Sequence, residues 1–364
     1  MYRLDILPLN KWLGHYELPF IVSGPCSAES EQQLLDTAKA LANISNVKVF
    51  RAGIWKPRTH PKTFEGVGIK GLKWLKSVKK ETGLLTAVEV ATPKHVEECL
   101  RNKVDILWIG ARTSVNPFSV QEICSVLKGT DIPVMVKNPV NPDVQLWLGA
   151  LERINQAGIK KLIAIHRGFF SFKKNLYRNN PLWEIPVELK RLCPDLPVIC
   201  DPSHICGNKE LLLDVSQKAL DTGMDGLMIE SHINPDIALT DTKQQITPQQ
   251  LSELIYKLKV HKALGNVNSE DKLKKLRNLI DKLDNELLNI VSERMKVSEK
   301  IGRYKNNNNI AIYQKQRWNK MIRNNLIIGN KFGLNKDFLS KFFALIHKES
   351  IQRQKNNKTE MKKI

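Results

Sequence analysis

Residues that are costly to bury stand at the ends of short apolar runs throughout the first 232 positions: Cys26, Arg51, Lys56, Arg58, Glu89, Arg112, Lys137, Arg167, His204 and Glu230. Within this group Cys26, His204 and Glu230, joined by Asp241, offer one thiol, one imidazole and two carboxylates. That donor set suits one divalent transition metal ion such as Mn, Fe, Co or Zn. Taken singly, a lone Cys is more often a small buried residue and a lone His a satisfied hydrogen bonder. Spread over the chain as expected when different loops gather at one place, the four together point to a metal. Arg51, Lys56, Arg58, Arg112, Lys137 and Arg167 need a separate explanation, because cations converging on one place repel one another unless anions join them. Arg forks to oxygens and Lys acts as a point charge, so this set can hold two phosphates and a carboxylate. Phosphorylated substrates are expected. One or two of these cations can pair with a carboxylate such as Glu89 or Asp201, but acidic run ends are too few to neutralise them all.

The elements that must position these residues are read from the runs themselves: PFIVSGPCS, VKVFRAGIWKPRT, GLLTAVEV, ILWIGART, PVMVKNP, KLIAIHRG, PVICDPSH and GLMIESH. Short β-branched runs separated by helix-length segments predict a parallel sheet, and eight of them predict a closed (β/α)8 barrel, an α/β TIM-barrel fold. In such a barrel chemistry gathers at the C-terminal ends of the strands. Near residue 260 the pattern becomes helical, with Leu273, Leu276, Ile280, Leu283, Leu287, Ile290, Val291, Val297 and Ile301 at three- and four-residue steps. A helix from Ser269 to about Lys305 covers roughly 36 residues, or about 54 Å, too long to stand without partners. Two more helices are expected near 313–328 and 336–356, with Gly333 in the turn. The domain reading is therefore a barrel over 1–262, a linker over 263–269 around GNVNS, an all-α domain over 270–356 and a basic tail over 357–364, expected to be disordered.

A chain of 364 residues with 42% apolar content is long enough for two domains with a sizeable core. No export signal opens it and no run of 18 apolar residues occurs, so a cytoplasmic protein without membrane contact is expected. Its six cysteines form no CxxC pair, which suits a reducing compartment without disulfides. The net charge of +20 raises nucleic-acid binding as an alternative of another class. Residues 266–364 carry 23 Lys and Arg against 10 Asp and Glu, however, so most of the surplus sits there, scattered among Asn and without aromatic stacking platforms. A nucleic-acid partner is not expected; one would betray itself by steep salt dependence. GVGIKG (66–71) matches GxGxxG but follows KPRTHPKTFE rather than an apolar strand, which argues against a dinucleotide site.

FRAGIWKPRT (50–59), FEGVGIKGL (64–72), WIGART (108–113), VMVKNP (134–139), HRGF (166–169), DPSHICGN (201–208) and MIESH (228–232) resemble the type I, β-subclass 3-deoxy-D-arabino-heptulosonate-7-phosphate (DAHP) synthases over about residues 20–250. The resemblance implies condensation of phosphoenolpyruvate with erythrose 4-phosphate, the entry to the shikimate pathway. It implies Cys26, His204, Glu230 and Asp241 as metal ligands, Arg51, Lys56, Arg112, Lys137 and Arg167 around phosphoenolpyruvate, and Arg58 and Thr59 on the sugar phosphate. Lys56, near both reactive ends, is the candidate proton donor to the aldehyde oxygen. The 3-deoxy-D-manno-octulosonate-8-phosphate synthases share barrel and enol donor; Lys56-Pro57-Arg58-Thr59 and the appended domain favour the four-carbon acceptor.

The C-terminal part resembles the all-helical, intertwined-dimer class of chorismate mutase over about residues 270–354, through LRNLIDKLDNELLNIVSERMKVSEKIGRYK (276–305), Gln316-Arg317 and ESIQRQ (349–354). The resemblance implies Arg277, Arg294, Lys305, Arg317, Ser350 and Gln354 as site residues, with Lys305 and Gln354 on the ether oxygen of chorismate. Rearrangement to prephenate needs cations for two carboxylates and donors for that oxygen, not an acid or base. Arg294 and Lys305 differ by 11 positions, about 20° and roughly 16 Å on one helix, so both reach a ligand between them. Arg277 lies roughly 25 Å from Arg294 and cannot join the same ligand in one chain; if it binds substrate, as the resemblance implies, it serves the site of a second subunit, which predicts an antiparallel homodimer. The chain departs from the family at Gln314 and Trp318, where many members carry acidic residues. The alternative for this domain is a dimerisation and feedback-sensing module.

Overall fold

The computed structural model describes residues 4–56, 63–172, 176–260 and 267–356. The chain divides into two compact units, Met1–His261 and Lys262–Ile364. Along the first unit, strands and helices alternate: β1 (Phe20–Gly24), α1 (Glu31–Ala42), β2 (Val47–Arg51), α2 (Lys70–Thr82), β3 (Leu85–Val90), α3 (Pro93–Arg101), β4 (Ile106–Ile109), α4 (Ala111–Ser114), α5 (Pro117–Leu127), β5 (Val134–Lys137), α6 (Val144–Gln156), β6 (Leu162–His166), α7 (Glu184–Leu192), β7 (Val198–Cys200), α8 (Pro202–Cys206), α9 (Leu212–Asp221), β8 (Gly226–Glu230) and α10 (Pro248–Lys257). The strands pair in parallel in sequence order, and β8 closes on β1 from Phe20 opposite Gly226 to Gly24 opposite Glu230. This is the expected (β/α)8 barrel.

Both faces of each strand are covered, which is why the runs are continuously apolar. Alternate residues divide between two cores. Phe20, Val22, Val49, Ile106, Trp108, Met135, Ile163, Ile199 and Met228 fill the barrel interior, closed below by Leu9 and Leu13. Ile21, Phe50, Val88, Leu107, Val136, Leu162 and Leu227 face the helical ring, meeting Leu34, Leu41, Leu75 and Trp147. Gly226 is required at closure, because a Cβ there would lie 2.4 Å from the Phe20 carbonyl oxygen. GVGIKG is explained by packing: Gly66, at φ +96°, and Gly71 press on Ile54, where a Cβ would come within 2.1 and 2.5 Å of it.

In the second unit are α11 (Val267–Asn307), α12 (Lys315–Lys331) and α13 (Lys336–Asn356); α12 and α13 pack antiparallel about a turn in which Gly333 takes a positive φ, and α13 runs parallel to α11, Ser350 meeting Met295 and Gln354 meeting Lys305. The long helix starts at Val267, so the last three residues of the expected linker are helical; 261–266 and the tail 357–364 lie outside the described residues. Gly302 lets α11 and α13 approach, since a Cβ would sit 2.8 Å from the Gln354 Cα. All six cysteines are buried and unpaired. Among the described residues no helix is long and apolar enough to cross a membrane.

Candidate active sites

Every strand of the barrel delivers its last residues to one end. Cys26 follows β1, Arg51 ends β2, Lys137 ends β5, Arg167 follows β6, His204 lies on α8 just beyond β7, and Glu230 ends β8. The Cys26 thiol, Glu230 and Asp241 bring ligand atoms within 4.8 Å of one another. His204 adjoins this group through Nε2, 3.8 Å from Glu230 Oε1. Its Nδ1 faces Asp201 Oδ1 at 3.0 Å, which fixes the ring so that Nε2 points at the cluster.

The fourfold set fits a divalent metal on several grounds. Glu230 is fully buried, its Oε2 accepts from Gln244 at 2.7 Å, and its Oε1 has no hydrogen bond. A buried carboxylate oxygen without a hydrogen bond, met only by an ion pair at 3.4 Å to Arg51, is incompletely compensated, and a metal ion is the further partner its neighbours suit. Burial and the nearby Glu230 carboxylate push the Cys26 thiol up to about 11. A divalent cation reverses that preference and draws out the thiolate. Burial opposes ionisation of Asp241, but His204 and Arg178 outweigh it and hold the carboxyl at about 2. Burial lowers His204, so its ring is neutral at physiological pH, the form that ligates. Asp241 also sits at φ +50°, an uncommon backbone setting that its neighbours must hold.

Around this cluster lies a cavity of about 560 Å³, lined by Lys56, Glu89, Arg112, Lys137, Arg167, Arg178, His204 and Asp241 among others. Its volume is that of a small-molecule site. Arg51 is 1% exposed, stacks its guanidinium 4.9 Å from the Trp108 ring centroid, and leaves Nε and Nη1 buried without partners. Its Nη2 lies 3.4 Å from Glu230 Oε1. Lys137 Nζ donates to Asp201 Oδ2 at 2.6 Å, and Lys56 Nζ to the Cys26 sulfur at 2.9 Å. Arg167 is brought down to about 10 by burial, with Arg178 and Arg112 adding repulsion that Asp201 only partly offsets. It remains charged, in a place where an anion relieves the crowding. Glu89 accepts from the Trp108 indole at 3.1 Å and reaches the site only because position 110 is glycine; a Cβ there would lie 2.1 Å from Glu89 Oε1. Arg58 and Thr59 lie outside the described residues.

Several residues of the site escape sequence reasoning. Arg178 pairs with Asp241 at 3.1 Å and donates to Gln244 at 2.7 Å. Gln245 accepts from the Cys26 amide at 2.9 Å. Asn138 and Asn179 accept from the Arg167 backbone at 2.6 Å and from its guanidinium at 2.7 Å. Asn138 lies within VMVKNP, directly after Lys137, and Gln244 and Gln245 follow Asp241 closely; amides beside charged residues were the available signal.

The helical unit carries a second cationic site. Arg294 of α11 donates to the Ser350 hydroxyl of α13. Lys305 donates to the Ile312 carbonyl at 2.7 Å and lies 3.4 Å from Gln354 Oε1. Burial lowers the pKa of both cations. Arg294, Lys305, Ser350 and Gln354 thus meet on the facing sides of two helices. Arg277 does not join them; it is exposed on the N-terminal half of α11. Arg317 is exposed on α12.

A closed parallel barrel whose mouth gathers a thiol, an imidazole, two carboxylates and several cations suits an enzyme acting on small anionic molecules, and here it is followed by a second, helical cation site. The chain belongs to the DAHP synthetase I family, whose model matches residues 11–264, and the chorismate mutase type II model matches residues 276–355. It is a bifunctional enzyme of aromatic biosynthesis, a transferase joined to an isomerase, and the transferase family is one of metalloenzymes. Phospho-2-dehydro-3-deoxyheptonate aldolase of Thermotoga maritima is 32% identical over 239 residues, 66% of this chain and 68% of that protein. 2-Dehydro-3-deoxyphosphooctonate aldolase of Francisella tularensis subsp. holarctica is 27% identical over 268 residues, 69% of this chain and 94% of that protein. The crystal structure of the Thermotoga DAHP synthase superposes with a TM-score of 0.59 at 31% identity, covering 65% of this chain and 67% of that one.

Proposed function

We propose that the barrel condenses phosphoenolpyruvate with erythrose 4-phosphate and water to give 3-deoxy-D-arabino-heptulosonate 7-phosphate and phosphate, and that the helical unit rearranges chorismate to prephenate. The observation that carries the first activity is the buried pairing of Glu230, whose Oε1 has no hydrogen bond, and Arg51, whose Nε and Nη1 have none either. A protein buries such groups at high cost unless a cation and an anion complete them. Cys26, His204, Glu230 and Asp241 would hold a divalent metal, which when bound supplies Lewis-acid polarisation of the aldehyde. Arg51, Lys137, Arg167 and Arg112 bind and orient phosphoenolpyruvate. Lys56, already a donor to the Cys26 sulfur, is placed to deliver a proton to the aldehyde oxygen as C3 of the enol attacks. Water then adds at C2 and phosphate leaves, so the cations must position the anionic groups without holding the product too tightly.

In the helical unit Arg294 holds a carboxylate, with Arg317 and a partner subunit's Arg277 as further cations, while Lys305 and Gln354 address the ether oxygen. A homodimer through α11 supports this reading: Leu276, Leu279, Ile280, Leu283, Leu287 and Ile290 are all exposed along that helix. The six unpaired thiols favour a reducing, cytoplasmic setting. The test is a pair of assays on the full chain, phosphoenolpyruvate consumption and chorismate loss. Erythrose 4-phosphate is the expected acceptor; turnover with arabinose 5-phosphate in its place would assign the barrel to octulosonate chemistry instead.

A further inference from the structure

His347 lies on the face of α13 that carries the mutase groups. It precedes Ser350 by three residues and Gln354 by seven, so the three side chains form one row along the helix. Ser350 is engaged by Arg294 and Gln354 lies beside Lys305. The His347 ring stacks on Trp318 of α12 with centroids 4.1 Å apart and planes 21° from parallel, and Tyr313, just before that helix, lies at 6.1 Å. Its Nε2 is shielded from solvent and has no hydrogen-bond partner. A shielded ring nitrogen without a partner is costly, and its cost is recovered when a ligand supplies one.

Chorismate presents two carboxylates, an ether oxygen and a ring hydroxyl. The carboxylates are matched by arginines and the ether oxygen by Lys305 and Gln354, which leaves the hydroxyl without a protein group and His347 Nε2 without a ligand group. Resting on the mutase reading of this unit, we infer that His347, held by Trp318, is the residue that recognises the ring hydroxyl. Burial first, then the proximity of Arg294 and Lys305, lowers the His347 pKa, so the ring is neutral at physiological pH. A neutral imidazole can meet a hydroxyl in either tautomer, as donor or acceptor, without adding a further charge to a site meant for two carboxylates. The stack also gives Trp318 a function at a position where an acid is otherwise expected.

The experiment compares chorismate with its analogue lacking the ring hydroxyl, in steady state, on the full-length chain and on His347→Phe, His347→Leu and His347→Gln. Phe keeps the stack and Leu keeps the volume, and both remove the nitrogen; Gln places an amide near the Nε2 position. We expect KM for chorismate to rise about tenfold in the Phe or Leu variant, the worth of one neutral hydrogen bond, with the deoxy analogue changed less than twofold and Gln restoring most of the discrimination. Either the Phe or the Leu variant alone decides the matter. An equal loss on both substrates would overturn the inference and leave His347 a packing residue. Absence of chorismate turnover by the unmutated chain would instead remove the mutase reading, and the inference with it.

Discussion

The barrel site and the helical site are both built from cations, yet they are completed in different ways. In the barrel, charges of both signs are buried within one chain and hold one another: Lys137 against Asp201, Arg51 beside Glu230, Arg178 on Asp241. In the helical unit the cations face hydroxyl, amide and carbonyl groups, and no carboxylate pairs with Arg294 or Lys305 among the described residues. The apolar stripe of α11 and Arg277 are left exposed. The barrel thus balances much of its own charge, and on the proposed reading takes a metal and small anions. On the same reading the helical unit takes a dicarboxylate and pairs with a second copy of itself. Buried charge has to be compensated where it is made, whereas half-exposed charge can wait for a ligand.

The largest effect should separate the two by their dependence on metal. A strong chelator, or Cys26→Ala, is expected to lower phosphoenolpyruvate consumption more than about 100-fold, since even residues supporting metal ligands are worth 10–100-fold. Chorismate loss should be unchanged in the same samples. Retained synthase activity in the Cys26→Ala chain would break the metal reading of the barrel. Next comes the converse: Arg294→Ala should reduce chorismate turnover by about 100-fold, the scale of one preorganised charge or donor, while the synthase rate stays within twofold. Equal losses in both assays would show that the two sites are not independent.

Much of the barrel was legible because its pattern and its chemistry coincide. The apolar runs end where the strands end, so Arg51, Lys137 and Glu230 could be placed at one mouth without a structure. Residues that hold other residues were not legible. Gln244, Gln245, Asn138, Asn179 and Arg178 sit in loops without period, and amides of these types are ordinary loop residues until a charged partner is seen. Asp241 was placed through the resemblance and its donor chemistry, not through any run. In the helical unit, 11 positions on one helix sufficed to pair Arg294 with Lys305, because a helix converts sequence separation directly into angle and distance. His347 and Trp318 could not be paired that way, since their stack joins two helices across a turn.

Assembly offers a smaller but sharper test. Replacing Leu283 and Leu287 together by Glu puts like charges on both copies of an α11 interface, and sedimentation should then show monomers at concentrations where the unmutated chain is dimeric. If Arg277 serves the partner's site, chorismate turnover should fall about 10- to 100-fold and recover partly as protein concentration is raised. Monomers with full mutase activity would show that one chain completes the site unaided.

The smallest expected difference lies in acid stability and follows from the two units' histidines. His166, at the end of β6, is fully buried among Trp147, Phe169 and Trp183, and burial, reinforced by Arg167, holds it down to about 3 from its ordinary 6.5. A histidine whose folded pKa is depressed binds its proton more readily in the unfolded chain, so stability is fully present above 6.5 and is lost as pH falls below it. Between pH 6.5 and 5 this one residue should cost the barrel about 1.5 kcal/mol, read as a drop in denaturant midpoint followed by tryptophan fluorescence. His166→Phe keeps an aromatic ring in the slot and removes the titration, so the difference between variant and unmutated chain isolates this residue from His204 and His95, which shift in the same direction. His347, only half-buried, should give the helical unit a shallower acid limb. An unmutated barrel as acid-tolerant as the His166→Phe chain would mean that His166 finds a compensating partner on protonation, and that the barrel's interior is less dry than its packing implies.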